Sequence, residues 1–334
     1  MGAGVELTPG QWNIQMLGGR LRKEIEYDPI IDNLNDINYK RWGYGLKVGY
    51  EKKGFGGEFI VFKSNDDPTS LTTIPLNSQI KPQDNLVLSL KGKAALSKKV
   101  QAEVEYAISG LTQNSNDVND INPAMQHIFH KIVNGNATTD FFNAVKASVS
   151  YAGEKINVGF NFEHIDPSYK TLGGYFFNND LQNYTLAPSF TLFKKKLNIG
   201  MNTGFQRNNL NKNQASTSNR WIGSINATYA ASKKLVFTGT YSNFSNFTRN
   251  RPTIDPFYYQ PADTLNFYQL TQNASALVSY SIGEGDLKSV IQAMYNYQES
   301  SSMAGNIQIA GPFGMNVQSS VAGVPTRNRH LGSD

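Results

Sequence analysis

Histidines, carboxylates and hydroxyls are the groups through which this 334-residue chain could do chemistry, because it has no cysteine and only four histidines. His127 and His130 are the one close histidine pair, in "NPAMQHIFHKIV" (122–133). Pro123 and the apolar Met125, Ile128, Phe129 and Ile132 suggest a short amphipathic helix there, inside a long loop. A spacing of three puts both imidazoles on roughly one helix face, where a metal site is conceivable, but only Asp120 offers a nearby third ligand. A helix that packs on the loop is the plainer expectation. His164 ends a strand at "EHIDP", and with Asp166 and a strand serine such as Ser148 or Ser150 it could sketch a hydrolytic triad. Spacing alone brings none of these together, and serines are common on any polar strand face. Neither standard glycine-rich phosphate loop is present. No cysteine means no disulfide scaffold, thiolate metal site or cysteine nucleophile. The expectation is a non-enzyme with no catalytic residue, cofactor or metal.

The elements that would carry these residues are strands. Gly (29), Asn (36), Tyr (17) and Phe (19) are abundant and are poor or mediocre helix formers, while aromatic and β-branched residues recur along the whole chain and disfavour disorder. Alternation with period two is the dominant pattern. In "KINVGFNFE" (155–163), Ile156, Val158, Phe160 and Phe162 oppose Asn157, Gly159, Asn161 and Glu163. Residues 100–109, 184–192 and 197–206 repeat it. Short Lys/Gly/Ser-rich turns lie near 51–54, 97–99, 153–155, 194–196, 232–234 and 283–285. Between them run long polar segments near 26–40, 64–83, 112–139, 164–182, 207–219 and 247–265.

Short and long connections that alternate, joining runs of about 10–14 residues, match an outer-membrane barrel with tight turns at one end and long loops at the other. A soluble sandwich also alternates, but one of this size would want more Val, Ile and Leu and shorter strands. A mean hydropathy of −0.42 fits, since only half of each strand need be apolar. Trp12, Trp42, Tyr44, Tyr50, Tyr106, Tyr151, Tyr184, Trp221, Tyr229, Tyr241, Tyr280 and Tyr295 are expected near strand ends as interfacial girdles. The expected fold is all-β: an antiparallel up-and-down transmembrane β-barrel, a single domain over 1–334, with about 14 strands. One strand falls at 11–25, six pairs at 41–299 and a possible one after 303, with "GVEL" the tail of another. The polar end "VPTRNRHLGSD" lacks a final strand with a terminal aromatic. Both ends are expected to be cut from a longer parent of 16 or more strands.

Alternation assigns Lys47, Lys91, Glu103, Glu105, Lys146, Asn157, Asn161, Glu163, Asn198, Asn202, Asn226 and Gln292 to the barrel lumen. The net charge of +5 is spread without an Arg/Lys block, so nucleic acid is not an expected partner.

The segments "EHIDPSYKTLGGYFFNND", "GFQRNNL", "YSNFSNF" (241–247), "GAGVELTPGQW" and "YKRWGYGLKVGYEK" (39–52) carry a likeness. Over about residues 3–250 the chain resembles large, poorly characterised outer-membrane β-barrel proteins of Bacteroidota. The resemblance implies a bacterial outer-membrane location, with lipid and lipopolysaccharide as surroundings, and implies no substrate. Two functions follow from the fold as expectations. One is a channel or transporter that passes solutes across the outer membrane. The other is a non-conducting barrel whose long external loops bind a surface or periplasmic protein or another ligand.

Overall fold

The computed structural model describes residues 1–332 except 31–33, 35, 76–77, 120–134, 175–178, 215, 251–264, 284–288, 306, 309–317 and 320–325. Every regular element among the described residues is a strand. They are β1 (Gly2–Leu7), β2 (Trp12–Arg22), β3 (Arg41–Lys52), β4 (Phe55–Asp66), β5 (Asp84–Ala95), β6 (Val100–Thr112), β7 (Thr139–Ala152), β8 (Ile156–Ile165), β9 (Leu181–Leu192), β10 (Leu197–Asn208), β11 (Ser216–Ala230), β12 (Leu235–Asn250), β13 (Leu265–Ile282), β14 (Ser289–Gly305), β15 (Ile307–Gln308), β16 (Gln318–Ser319) and β17 (Thr326–Gly332). Fifteen follow one another in a single up-and-down antiparallel sheet, β1 to β14 and then β17, while β15 and β16 pair separately. The chain divides into two compact units: Met1–Ala147 with His164–Asp180, and Ser148–Glu163 with Leu181–Asp334.

Both ends carry strands. "GVEL", expected as the tail of a strand, lies in β1, which pairs along its whole length with β2. The strand expected after 303 includes the polar "TRNRHLG", β17, registered on β14 from Asn296↔Gly332 to Ser302↔Thr326. Its sequence lacks apolar alternation, so main-chain pairing with a long neighbour defines this strand and hydropathy could not reveal it.

Within the first unit, register puts the two faces of β1–β6 in step. Trp12, Tyr50 and Gly57 share one row, as do Val48, Phe59, Leu90 and Tyr106. The opposite face carries rows such as Asn13, Gly49, Glu58, Lys91 and Glu105. The tight ends are set by backbone geometry. Gly54, at φ 81°, turns β3 into β4 where a side chain would be strained.

The second unit has the same logic. The apolar run of β10 begins at Leu197 and ends at Phe205, whose register partners are Tyr184 on β9 and Trp221 on β11. Beyond that row the same face turns polar, with Arg207 paired to Gln182 and Asn219. On β12 the apolar run stops at Tyr241, and Asn243 and Ser245 follow on that face. So Trp221 and Tyr241 lie within their strands rather than at the ends. Their strands are 15 and 16 residues long and run past the apolar band on the long-loop side. About 9–11 residues are enough to cross a bilayer.

Candidate functional site

The polar face of the first unit carries a bonded ladder at its short-turn end. Lys47 Nζ lies 3.2 Å from Glu58 Oε2, Lys91 Nζ 2.8 Å from Glu103 Oε1, and Lys93 Nζ 2.9 Å from Glu51 Oε2. Lys91 sits directly opposite Glu105 but reaches the diagonal Glu103, a geometry long side chains allow. Glu105 instead accepts from Ser89 Oγ at 3.1 Å. Glu6 extends the network, accepting from Asn13 Nδ2 at 2.7 Å and Gln15 Nε2 at 2.9 Å. A cleft of about 430 Å³ opens there beside Asn13, Gly49, Gly57, Lys91 and Lys93. The ladder side chains keep part of their surface open to solvent, so each pair stabilises little individually.

Toward the long-loop end the same face holds a buried ion pair. Arg41 and Asp66 are direct register partners, and Arg41 donates from Nε to Oδ1 at 2.7 Å and from Nη2 to Oδ2 at 2.9 Å. Asp66 also accepts the Gln83 N–H at 3.0 Å and lies 3.5 Å from Arg22 Nη2. Around it the loops organise: Ile37, Tyr39 and Leu71 form a small apolar cluster with Tyr27, Leu34 and Ile80. Glu26 ties the two loops together by accepting the Thr72 N–H at 3.0 Å and its hydroxyl at 2.9 Å, and these bonds hold its carboxyl below the usual carboxylate range.

Between these regions the polar face is covered by the protein's own chain. The segment Asp166–Gly174, after β8, lies over β4, β5 and β6. Ser109 Oγ donates to the Lys170 carbonyl at 2.6 Å, and the Leu172 N–H donates to Asn85 Oδ1 at 3.1 Å. Asn85 and Ser109 are fully buried and bond each other at 2.8 Å. Tyr169 and Leu172 are buried, and Gly173 sits so close to the Phe62 ring that a Cβ there would fall 2.6 Å from its carbons. Asp166 anchors the start, accepting the Asn143 N–H at 2.7 Å and side-chain amide at 3.0 Å on Oδ2, while His164 Nε2 meets Oδ1 at 3.1 Å. Asp180 closes the base of the loop, its N–H donating to the Asp166 carbonyl at 3.2 Å.

Two titrations mark this segment. Burial, seconded by the Glu105 carboxylate, pushes the Tyr169 phenol up to about 12. Partial burial, with Arg41 and Arg22 nearby, pulls the Lys170 ammonium down from its ordinary value. The tyrosine sign is direct: both states are protonated below about pH 10, and above it only the undocked phenol ionises readily. Docking is therefore expected to weaken between about pH 10 and 12, by about 2 to 3 kcal/mol at the upper end. Lys170 acts in the opposite sense as it loses its proton. Tyr169→Phe is expected to remove the alkaline weakening, read as hydrogen exchange of the Leu172 amide against pH. An unchanged pH profile in that variant would assign the effect elsewhere.

Lys47, Lys91, Glu103 and Glu105 thus share one face of the first unit, and β7, which carries Lys146, lies alongside in the sheet order. In the second unit Asn157 bonds Ser189 at 3.3 Å, Thr191 bonds Asn198 at 3.1 Å, and the Asn226 amide lies across Gly200. Asn161 and Glu163 follow Asn157 in alternation on β8, and Asn202 follows Asn198 on β10. Register carries this face on through Thr240 and Ser275 to Asn296, with Gln292 four residues before Asn296 on β14. It is rich in amides and hydroxyls and also carries Glu163 and Arg220, in contrast to the Lys/Glu ladder of the first unit. His127 and His130 lie outside the described residues. No group of three metal-ligating side chains occurs among the described ones. Sequence patterning missed the docked segment, since Tyr169, Leu172 and Gly173 carry no periodicity; its bonds to Asn85 and Ser109 span long sequence separations. Comparison with protein-family models and with curated proteins finds no match to this chain.

Proposed function

We propose that the chain forms a transmembrane β-barrel of a bacterial outer membrane and passes solutes across it as a channel or transporter. The observation that carries this reading is the apolar face. Large side chains stand exposed along it, including Leu90 at 63%, Ile291 at 59% and Tyr44 at 53%. A water-soluble sheet would cover such a contiguous surface. In the second unit the band is bounded by Leu197 at the short-turn end and by the row Tyr184, Phe205 and Trp221. From Leu197 to Phe205 is eight residues, about 27 Å along a strand, or about 20 Å along the normal at a 40° tilt. That approximates the height of the apolar band of outer-membrane barrels, about 25 Å. Lipid and lipopolysaccharide are the surroundings it suits, and the resemblance to Bacteroidota barrels points to the same membrane. The opposite polar face, lined by a Lys/Glu ladder in one unit and mainly by amides and hydroxyls in the other, suits an aqueous passage for small or medium solutes. No catalytic role is assigned.

A second reading, a non-conducting barrel whose external loops bind a surface or periplasmic protein partner, draws on the ordered apolar cluster between the 23–40 and 67–83 loops. Single-channel recording of the full-length protein in a planar bilayer separates the two. Steady openings are expected. A folded, inserted protein without conductance would favour the loop-binding reading, and failure to insert would sink the barrel.

A further inference from the structure

We infer that Asp166–Gly174 is the constriction of the proposed passage and that Lys170, carried at its centre, sets the charge preference there; the inference rests on the passage reading above. Four observations converge on it. The segment is held by the wall itself: fully buried Asn85 and Ser109 on β5 and β6 spend their side chains on its main chain. A surface loop that only visited this face would leave those polar groups partly in water. Its apolar side is seated, with Leu172 and Tyr169 buried and Gly173 against Phe62, which stands on this face in a row with Gly45 and the apolar Val87. This strap is closed at its base by the Asp180–Asp166 backbone bond, so the points where the chain leaves and returns lie side by side. Finally, Lys170 keeps an exposed surface while its carbonyl is tied down, and it lies within electrostatic reach of two cations, Arg41 and Arg22, and of the Asp66 carboxylate. A solute that moves along this face meets a narrowed, positively biased stretch, then the self-neutralised Lys/Glu ladder beyond it.

The test uses the full chain, in micelles for docking and in planar bilayers for passage. Trypsin cleavage after Lys170 reads docking, because the scissile carbonyl is the one that Ser109 holds. Asn85→Ala with Ser109→Ala releases the strap from the wall side. Gly173→Val releases it from its own side, and Phe62→Ala added to Gly173→Val restores room for the new side chain. Cleavage at Lys170 is expected to rise about tenfold or more in the first two variants, since buried partners are left unsatisfied or crowded, and to fall back in the third. Conductance is expected to rise several-fold in the same two variants and to return in the rescued one. Lys170→Glu is expected to move the reversal potential in a KCl gradient toward cation preference while the Leu172 amide, bonded to Asn85, stays protected from hydrogen exchange. Equal cleavage in wild type and released variants overturns the docked strap whatever the conductance. Altered cleavage with unchanged conductance overturns the constriction but leaves a passage. An unmoved reversal potential in Lys170→Glu overturns the charge role. Silence in every variant, with cleavage behaving as expected, rejects the passage reading and keeps the strap as a structural element.

Discussion

Leu90→Arg is expected to destabilise the protein in a bilayer by about 2–4 kcal/mol, the cost of an arginine on the lipid face of a barrel near the midplane. Leu90 lies at the centre of β5, between Phe59 on β4 and Tyr106 on β6, and is 63% exposed. In water such a residue would be the cheapest place for a charge. In lipid it is among the most expensive, because the guanidinium must leave its hydration shell or drag water to it. The neighbouring Lys91 faces the other way and bonds Glu103. Lys91→Gln is therefore expected to cost no more than about 1 kcal/mol. Urea unfolding in lipid vesicles compares the pair. If Leu90→Arg were as mild as Lys91→Gln, the exposed apolar face would not be facing lipid.

The other large effect is expected at Asp66. Asp66→Ala removes the acceptor for both Arg41 donors and leaves a guanidinium that is 8% exposed without its counter-charge. Breaking one side of a buried pair costs about 3–5 kcal/mol, mostly the penalty of the charge left behind. The Gln83 N–H loses its acceptor as well, and Arg22 loses its ion pair while keeping its bond to the Tyr39 carbonyl, so the 23–40 and 67–83 loops should loosen together. Replacing both partners, Asp66→Leu with Arg41→Met, is expected to recover much of the loss, because no uncompensated charge remains. Unfolding midpoints of the single and double variants decide this. A single substitution that costs under about 1 kcal/mol would show that water reaches the pair and that the face is more open than its burial indicates.

The two substitutions also show where the sequence is readable. Leu90 and Lys91 could be sorted onto opposite faces from alternation alone, since a strand has period two and only one of its faces meets an apolar medium. The same rule put Lys47, Glu103, Glu105, Asn157, Asn198 and Asn226 on the polar side of their strands, and short turns could be told from long loops by composition. Asp66 was different. Nothing in "FKSNDDP" says that its partner is Arg41, because the pair is made by the β3–β4 register and closed by Gln83 from the following loop.

What the sequence determined by itself was the strand pattern: which runs pair, which ends are tight, and which side of each strand is apolar. These follow from local rules of backbone and side-chain alternation that hold whatever the neighbours are. Tertiary structure decided three further things: that β17 pairs on β14 without an apolar pattern, that Trp221 and Tyr241 each lie inside long strands, and that Asp166–Gly174 lies down on the polar face. Each depends on contacts between residues far apart in the chain, such as Leu172 with Asn85, and such contacts leave no period in the sequence to read.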